Sequence, residues 1–231
     1  MKHKVLMLSA ASILASLSLS SCSHMGNGVA LSIPPAIQAA EKAQKTIYIS
    51  NVVDCRSFHV PPCTPDVPSL ASSELPKNKV IGRNRSGYGK ACGNVSLKDA
   101  ETIEKLVGNL AGNTFASLGY NVALAKPKGR VIDAKIKITD FWGWVSMPRG
   151  SAVAHALWSF SMEQTIKMNA KIGIALEVKL LNGKKVNIKA ASYVTDTPFV
   201  GMTNGEWTKL FNTLLANCSE ELKAKVKTSK L

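Results

Sequence analysis

Acidic side chains are scarce in this chain. Its 231 residues hold 15 Asp+Glu against 29 Lys+Arg, a formal net charge of +14. That imbalance disfavours cationic partners and favours anionic ones. Charge is modest at 19% of residues while hydrophobic residues make up 45%, which argues against an intrinsically disordered chain. No apolar run reaches the ~20 residues that a membrane-crossing helix needs, so a polytopic helical membrane protein is excluded. Catalytic signatures are also lacking: there is no G-x-S-x-G, no H-E-x-x-H and no S-x-x-K with usable partners. Past the N-terminal leader the histidines are His24, His59 and His155, none in a recognised catalytic setting. Asp54, beside Arg56, is the one suggestively placed carboxylate, and an ion pair or a turn cap accounts for it. These absences weigh for a binding module over an enzyme and name no cofactor.

What the chain does have begins with its first 23 residues. Lys2 and Lys4 precede an apolar stretch from Val5 to about Leu19, too short for a stop-transfer helix and laid out like a secretory signal. It ends in Leu19-Ser20-Ser21-Cys22. This resembles the lipobox of bacterial lipoproteins, in which the cysteine is acylated and becomes the new N-terminus after residues 1–21 are removed. Ser23 in place of Asp implies, by the same resemblance, sorting to the outer membrane. The mature chain loses Lys2 and Lys4 and carries +12. Two or three acyl chains anchor stably, because each buried CH₂ contributes ~0.8 kcal/mol and one chain alone is marginal. Residues 22–45 then read as lipidated N-terminus and tether, and 46–231 as one folded periplasm-facing domain. About 185 residues suffice to bury ~70% of the unfolded surface.

The remaining cysteines, Cys55, Cys63, Cys92 and Cys218, are even in number and compatible with two disulfides in an oxidising compartment. The local pair Cys55–Cys63, flanking Pro61-Pro62, is the favoured bridge. Cys92 remains open as to partner, and Cys218 falls on an apolar helical stripe that equally suits a buried free thiol. Cys55-His59-Cys63 mimics metal-ligand spacing on a helix, but the two prolines forbid a helix there, so no metal is expected.

Periodicity supplies the elements. Thr46–Asp54 is β-branched and reads as a strand, followed by a Pro-, Ser- and Cys-rich loop over Cys55–Lys79. The stretch Gly82–Gly93 reads as a flexible connector. Its Arg83, Arg85 and Lys90 could also form an anion nest, although the spacing is not that of a P-loop. A helix starts at a capping-box-like Ser96/Asp99, with Ile103, Leu106, Val107, Leu110, Phe115 and Leu118 on one stripe, and stops at Gly119. Gly108 and Gly112 inside it predict close approach to a strand. Tyr120–Leu124, Val131–Phe141 and Ile166–Leu180 read as strands, the last strictly alternating. Asn182-Gly183 predicts a type I′ hairpin into a return strand holding Val186, Ile188 and Ala190. Trp207, Leu210, Phe211, Leu214, Leu215, Cys218 and Leu222 stripe a final helix. The class is α+β: two amphipathic helices on one face of a mixed, mostly antiparallel sheet.

The lipobox, Asp54-x-Arg56 after a first strand, Ile81-Gly82, the helix, Gly119-Tyr120-x-Val122 and the alternating strands together resemble the YajG-type lipoprotein family over most of residues 46–226. That resemblance implies a membrane-anchored, periplasm-facing domain with no established reaction, and so no catalytic residues. The two-cysteine insertion between Arg56 and Ile81 departs from the pattern.

Two surfaces suggest partners. Lys135, Lys137, Lys167, Lys171, Lys179, Lys185 and Lys189 share the odd parity opposite the apolar set, with Asp133 and Glu177. The face suits an anionic envelope component, and it also suits a surface that merely stays soluble. Trp142, Trp144, Trp158 and Phe160 flank a loop at Ser146–Ala156 and read either as a docking hairpin or as a cap on the core. The expectation is a non-catalytic outer-membrane lipoprotein that binds another envelope component. Recognition of lipid or lipopolysaccharide, and cell-wall hydrolysis, are the alternatives; nucleic acid is not an expected partner.

Overall fold

The computed structural model describes residues 28–36, 45–61, 63–71, 75–85, 91–123, 125–146, 167–197, 203–229 and 231, except for the side chain of Cys92. Its elements in order are β1 (Lys45–Asp54), β2 (Val80–Arg85), β3 (Ala91–Ser96), α1 (Ile103–Ser117), β4 (Tyr120–Ala123), β5 (Ile132–Ser146), β6 (Lys167–Lys179), β7 (Lys185–Asp196) and α2 (Asn204–Thr228). All seven strands form one sheet, and the class is α+β. The strands β2 and β3 correct the sequence reading of Gly82–Gly93 as a connector. Gly82 faces Gly143, where a Cβ would lie 2.7 Å from the Gly143 carbonyl oxygen, so the glycine serves a close strand approach. Strand junctions divide evenly. β2–β3, β5–β6 and β6–β7 are antiparallel, whereas β1–β4, β1–β5 and β2–β5 are parallel, so the antiparallel character is less dominant than expected.

The longest strand, β5, organises the sheet. β6 pairs with it from Asp133 to Ser146, so β1 and β2 must share its other edge in succession. At the junction between them the ladder is interrupted, and Arg56 fills the gap. Its guanidinium donates to the carbonyls of Val80 (2.7 Å), Phe141 (2.8 Å) and Lys77 (2.8 Å), and holds both oxygens of Asp54 (2.9 and 2.8 Å). A buried charge persists only when paired and fully hydrogen-bonded, and this one is both. The Asp54-x-Arg56 motif is thus a structural keystone.

The apolar stripes land as the periodicity predicts. Ile103, Leu106, Val107, Leu110 and Phe115 of α1 are buried, as are Trp207, Leu210, Phe211, Leu214, Leu215, Cys218 and Leu222 of α2. The α1 cap is Thr102, which accepts from the Lys105 amide, so the helix begins later than Ser96/Asp99 suggested; Ser96 ends β3. Gly108 and Gly112 lie against Val52, Ile49 and Val122 of β1 and β4, the expected close approach. The two helices meet at a buried contact between the Thr114 and Ser219 hydroxyls (2.9 Å). Gly119 takes φ +85° at the end of α1, as a left-handed stop requires. The β6–β7 turn differs from expectation. Gly183 has φ +84° but Asn182 does not share it, and Leu180 N–H donates to Lys184 O while Gly183 N–H donates to Leu180 O. That is the three-residue hairpin with a glycine bulge, one residue longer than type I′.

Residues 28–36 are a second correction, because the sequence places them in the tether. Val29 is 1% exposed, and Leu31 and Ile33 pack on the core. Val29 pairs with Leu97, donating to Ser96 O (2.7 Å) and accepting from Lys98 N–H (3.0 Å). Ser32 N–H then donates to Asn212 on α2, and Asn113 on α1 donates to Pro34 O.

Candidate functional site

Helix α2 lies against β6 and β7, whose even-parity residues are the buried ones, while α1 packs on β1, β4 and β5; the odd-parity side carries the lysines. Lys135, Lys137, Lys167, Lys179, Lys185 and Lys189 are all exposed there, and Lys171 is half-buried. Register sets them in rows. Lys137, Ala175 and Lys189 lie across from one another on β5, β6 and β7; Asp140, Gly173 and Ala191 form the next row, and Trp142, Lys171 and Tyr193 the one after. Three small residues therefore sit mid-face between lysines. They floor a groove of about 550 Å³ that Lys171, Lys189, Asp140 and Tyr193 rim.

A bulge between Ile138 and Asp140 shapes this site. One extra residue reverses the parity beyond it, so Phe141, Gly143 and Val145 turn to the core and Asp140, Trp142 and Trp144 turn outward. The face thereby gains Asp140, giving three carboxylates against seven lysines. Asp140 pairs with Lys171 (3.2 Å) and Glu177 with Lys185 (2.9 Å). The Lys185 hydrogen bond and charge hold the Glu177 carboxyl below its ordinary pKa, with Lys135 and Lys137 contributing. Asp133 is hydrogen-bonded to the Ser50 hydroxyl. Lys135, Lys137, Lys179 and Lys189 form no ion pair among the described residues, so net positive charge remains for a ligand.

Tyr193, 56% exposed, is the aromatic that sequence reasoning missed. Its hydroxyl donates to Asn169 Oδ1 (2.6 Å), which also accepts from Thr195 (2.9 Å), while Asn169 Nδ2 donates to Ser146 Oγ (2.9 Å). Trp144 lies against the Tyr193 ring at 5.9 Å. The ring is thus held in a fixed attitude at the groove's edge, next to Lys171. An odd-numbered aromatic on a strand whose even positions are apolar was the available signal.

The aromatic docking expectation is corrected at Trp142, which is wholly buried. The 55–79 loop folds over it: its indole N–H donates to Pro65 O (3.0 Å), and Phe58 meets it edge-on at 6.2 Å while stacking over Arg56. Trp144 is half-buried against Tyr193 and belongs with the lysine face; Trp158, Phe160 and His155 lie outside the described residues. The same loop corrects the disulfide. Cys55 is an exposed free thiol and Cys63 a half-buried one, so the expected bridge is not formed. Cys55 is pinned to β5 through its amide, which donates to Ile138 O, whereas Cys63 lies near Arg85 on β2. The loop is held instead by Arg83 to Ser69 Oγ (2.9 Å) and by Asn94, which bonds Ser69, Gly82 and Ala71. Arg83 thus fastens the loop to β2. Among the described residues no group of three His, Cys, Asp or Glu could hold a metal ion, and no helix is long and apolar enough to cross a membrane. Cys22 lies outside the described residues.

Comparison with protein-family models finds no match, and no curated protein matches the chain significantly. A solved structure described only as the crystal structure of an uncharacterized protein is similar, at 10% identity and a TM-score of 0.44. It covers 87% of this chain and 99% of that one.

Proposed function

We propose that the protein is an outer-membrane-anchored, periplasm-facing lipoprotein of the YajG type, a non-catalytic binding module that holds an anionic envelope component on its sheet. In this reading acyl chains at Cys22 fix the address, and two helices cover one sheet face so that the other stands free. The supporting observation is the groove: small residues Gly173, Ala175 and Ala191 on the floor, with Lys171, Lys189 and an immobilised Tyr193 on the rim. Lysines supply charge at points set by the strand register, and the ring offers a flat apolar surface to a sugar or acyl group. The polar groups a hydrolase would need are already engaged here, Asp140 with Lys171, which favours binding over chemistry. Sedimentation with isolated peptidoglycan, and flotation with lipopolysaccharide-containing vesicles, tests the reading. The double change Lys137→Glu and Lys189→Glu should weaken retention at least about tenfold, ~1.4 kcal/mol, and flatten its salt dependence. Lys227→Glu on α2 should leave it unchanged. Equal loss from both, or turnover of peptidoglycan by the purified protein, would reject the assignment.

A further inference from the structure

The placement of residues 28–36 bears on which way the molecule faces. If 22–45 were a loose tether, the lipidated residue could lie up to ~80 Å from the start of β1 and the domain could present any surface to the bilayer. Instead the chain is fastened at Gly28. The Gly28 carbonyl accepts from Asn204, the first residue of α2, and the next residue pairs with Leu97. Gly28 has φ +65°, and a Cβ there would lie 2.9 Å from Lys98 Cα, so the seat accepts glycine alone. Beyond it Ser32 is tied to Asn212 on α2 and Pro34 to Asn113 on α1, so the segment bridges the two helices. Only five residues, six Cα-to-Cα steps, then separate Cys22 from the first fixed point, ~20 Å at full extension.

We infer that residues 28–36 are a clasp that turns the helix-N-terminal end of the domain, around Gly28 and Lys98, toward the lipid head groups of the anchoring bilayer. The proposal rests on acylation at Cys22. The partner of this surface is that bilayer, and the lysine groove points elsewhere. Trp207, near the start of α2, packs at Gly143 of β5, whereas the groove opens on the opposite side of the sheet, its rows running from Trp142–Lys171–Tyr193 beside Gly143 back to Lys137–Ala175–Lys189, six residues or ~20 Å along β5. The β6–β7 turn at Leu181 is farther still, eleven residues or ~36 Å along the chain from Ala170, which faces Gly143. The groove thereby opens on the flank of the domain, on the sheet face that α2 leaves uncovered.

The test uses the full chain, acylated in a bacterial host and reconstituted into vesicles carrying an acceptor-labelled phospholipid. A fluorescent amino acid is placed at Lys98 or at Leu181. Energy transfer to the acceptor should be several-fold greater from position 98. Inserting a flexible Gly/Ser stretch of about twenty residues between Asn27 and Gly28 should bring the two positions to similar transfer, by lengthening the leash to ~90 Å at full extension. Equal transfer in the acylated parent chain, or stronger transfer from position 181, would overturn the orientation alone. Absence of the acyl mass at Cys22, read by mass spectrometry, would overturn the anchoring and the orientation together.

Discussion

At the residue scale, two buried groups carry consequences that are easily measured. Arg56 has no exposed side-chain surface, its partner Asp54 only 11%, and the guanidinium satisfies three carbonyls where β5 changes neighbours. Arg56→Leu would leave Asp54 unpaired and those carbonyls short of donors. Removing one member of a buried pair costs about 3–5 kcal/mol, so urea unfolding should show a loss of that order. A loss below ~1 kcal/mol would mean the junction is held by other bonds. Cys218 is the second group. Burial, aided by the nearby Glu221, pushes its thiol up to about 12. The unfolded chain ionises it at a lower pH, so the native state loses stability as pH rises from about 9 to 12 and none below that window. Cys218→Val should flatten the unfolding midpoint across that range relative to the parent. In the native protein near pH 8, the exposed Cys55 should alkylate readily while Cys218 does not.

The elements differ in how much of them the sequence disclosed, and the difference is physical. Both helices could be read because a buried stripe on a 3.6-residue period leaves a long, redundant record. β6 and β7 could be read because one face is covered and the other open. The β2–β3 hairpin could not: Gly82 and Gly93 lower strand propensity, and Gly82 is there because Gly143 comes so close. Nor could the site beyond the bulge, since one inserted residue exchanges the faces and no local pattern announces it. Parity alone places the lysines before the bulge on the correct face, whereas it leaves Trp142 open between docking and capping the core, and the structure puts it beneath a loop. Where an element's glycine serves close packing, its tolerance depends on the neighbour. At Gly143 a Cβ would lie 2.7 Å from Trp207 and 2.8 Å from Phe211, so Gly143→Ala should cost about 1–3 kcal/mol by overpacking. At Gly112 the nearest atoms are 3.7 and 3.9 Å away, ordinary contact, and alanine improves the helix by up to ~1 kcal/mol. Thermal unfolding should therefore move in opposite directions for the two substitutions; movement in the same direction would show that the helices are not seated this closely.

For the whole molecule, the point of greatest leverage is the one the sequence concealed most fully. Val29, Leu31 and Ile33 alternate like a strand, but the run is short and closes on Pro34-Pro35, so it passes for linker. In the fold it joins β3's exit to both helices, and its amides are spoken for: Val29 N–H by Ser96 O and Ser32 N–H by Asn212. A tether would exchange those hydrogens at random-coil rates, whereas a clasp that opens only with the surrounding core must slow them. In a soluble Cys22→Ser protein, hydrogen exchange should show Val29 and Ser32 protected by two orders of magnitude or more, about 2.7 kcal/mol of opening free energy. Val29→Asp places a carboxylate in a site that is 1% exposed and should abolish that protection. The amides of β6, between β5 and β7, should stay slow in the same variant, because their ladder does not depend on the segment. If Val29 and Ser32 exchange freely in the parent protein, the leash to the proposed anchor at Cys22 is long, and the lysine groove has no preferred direction.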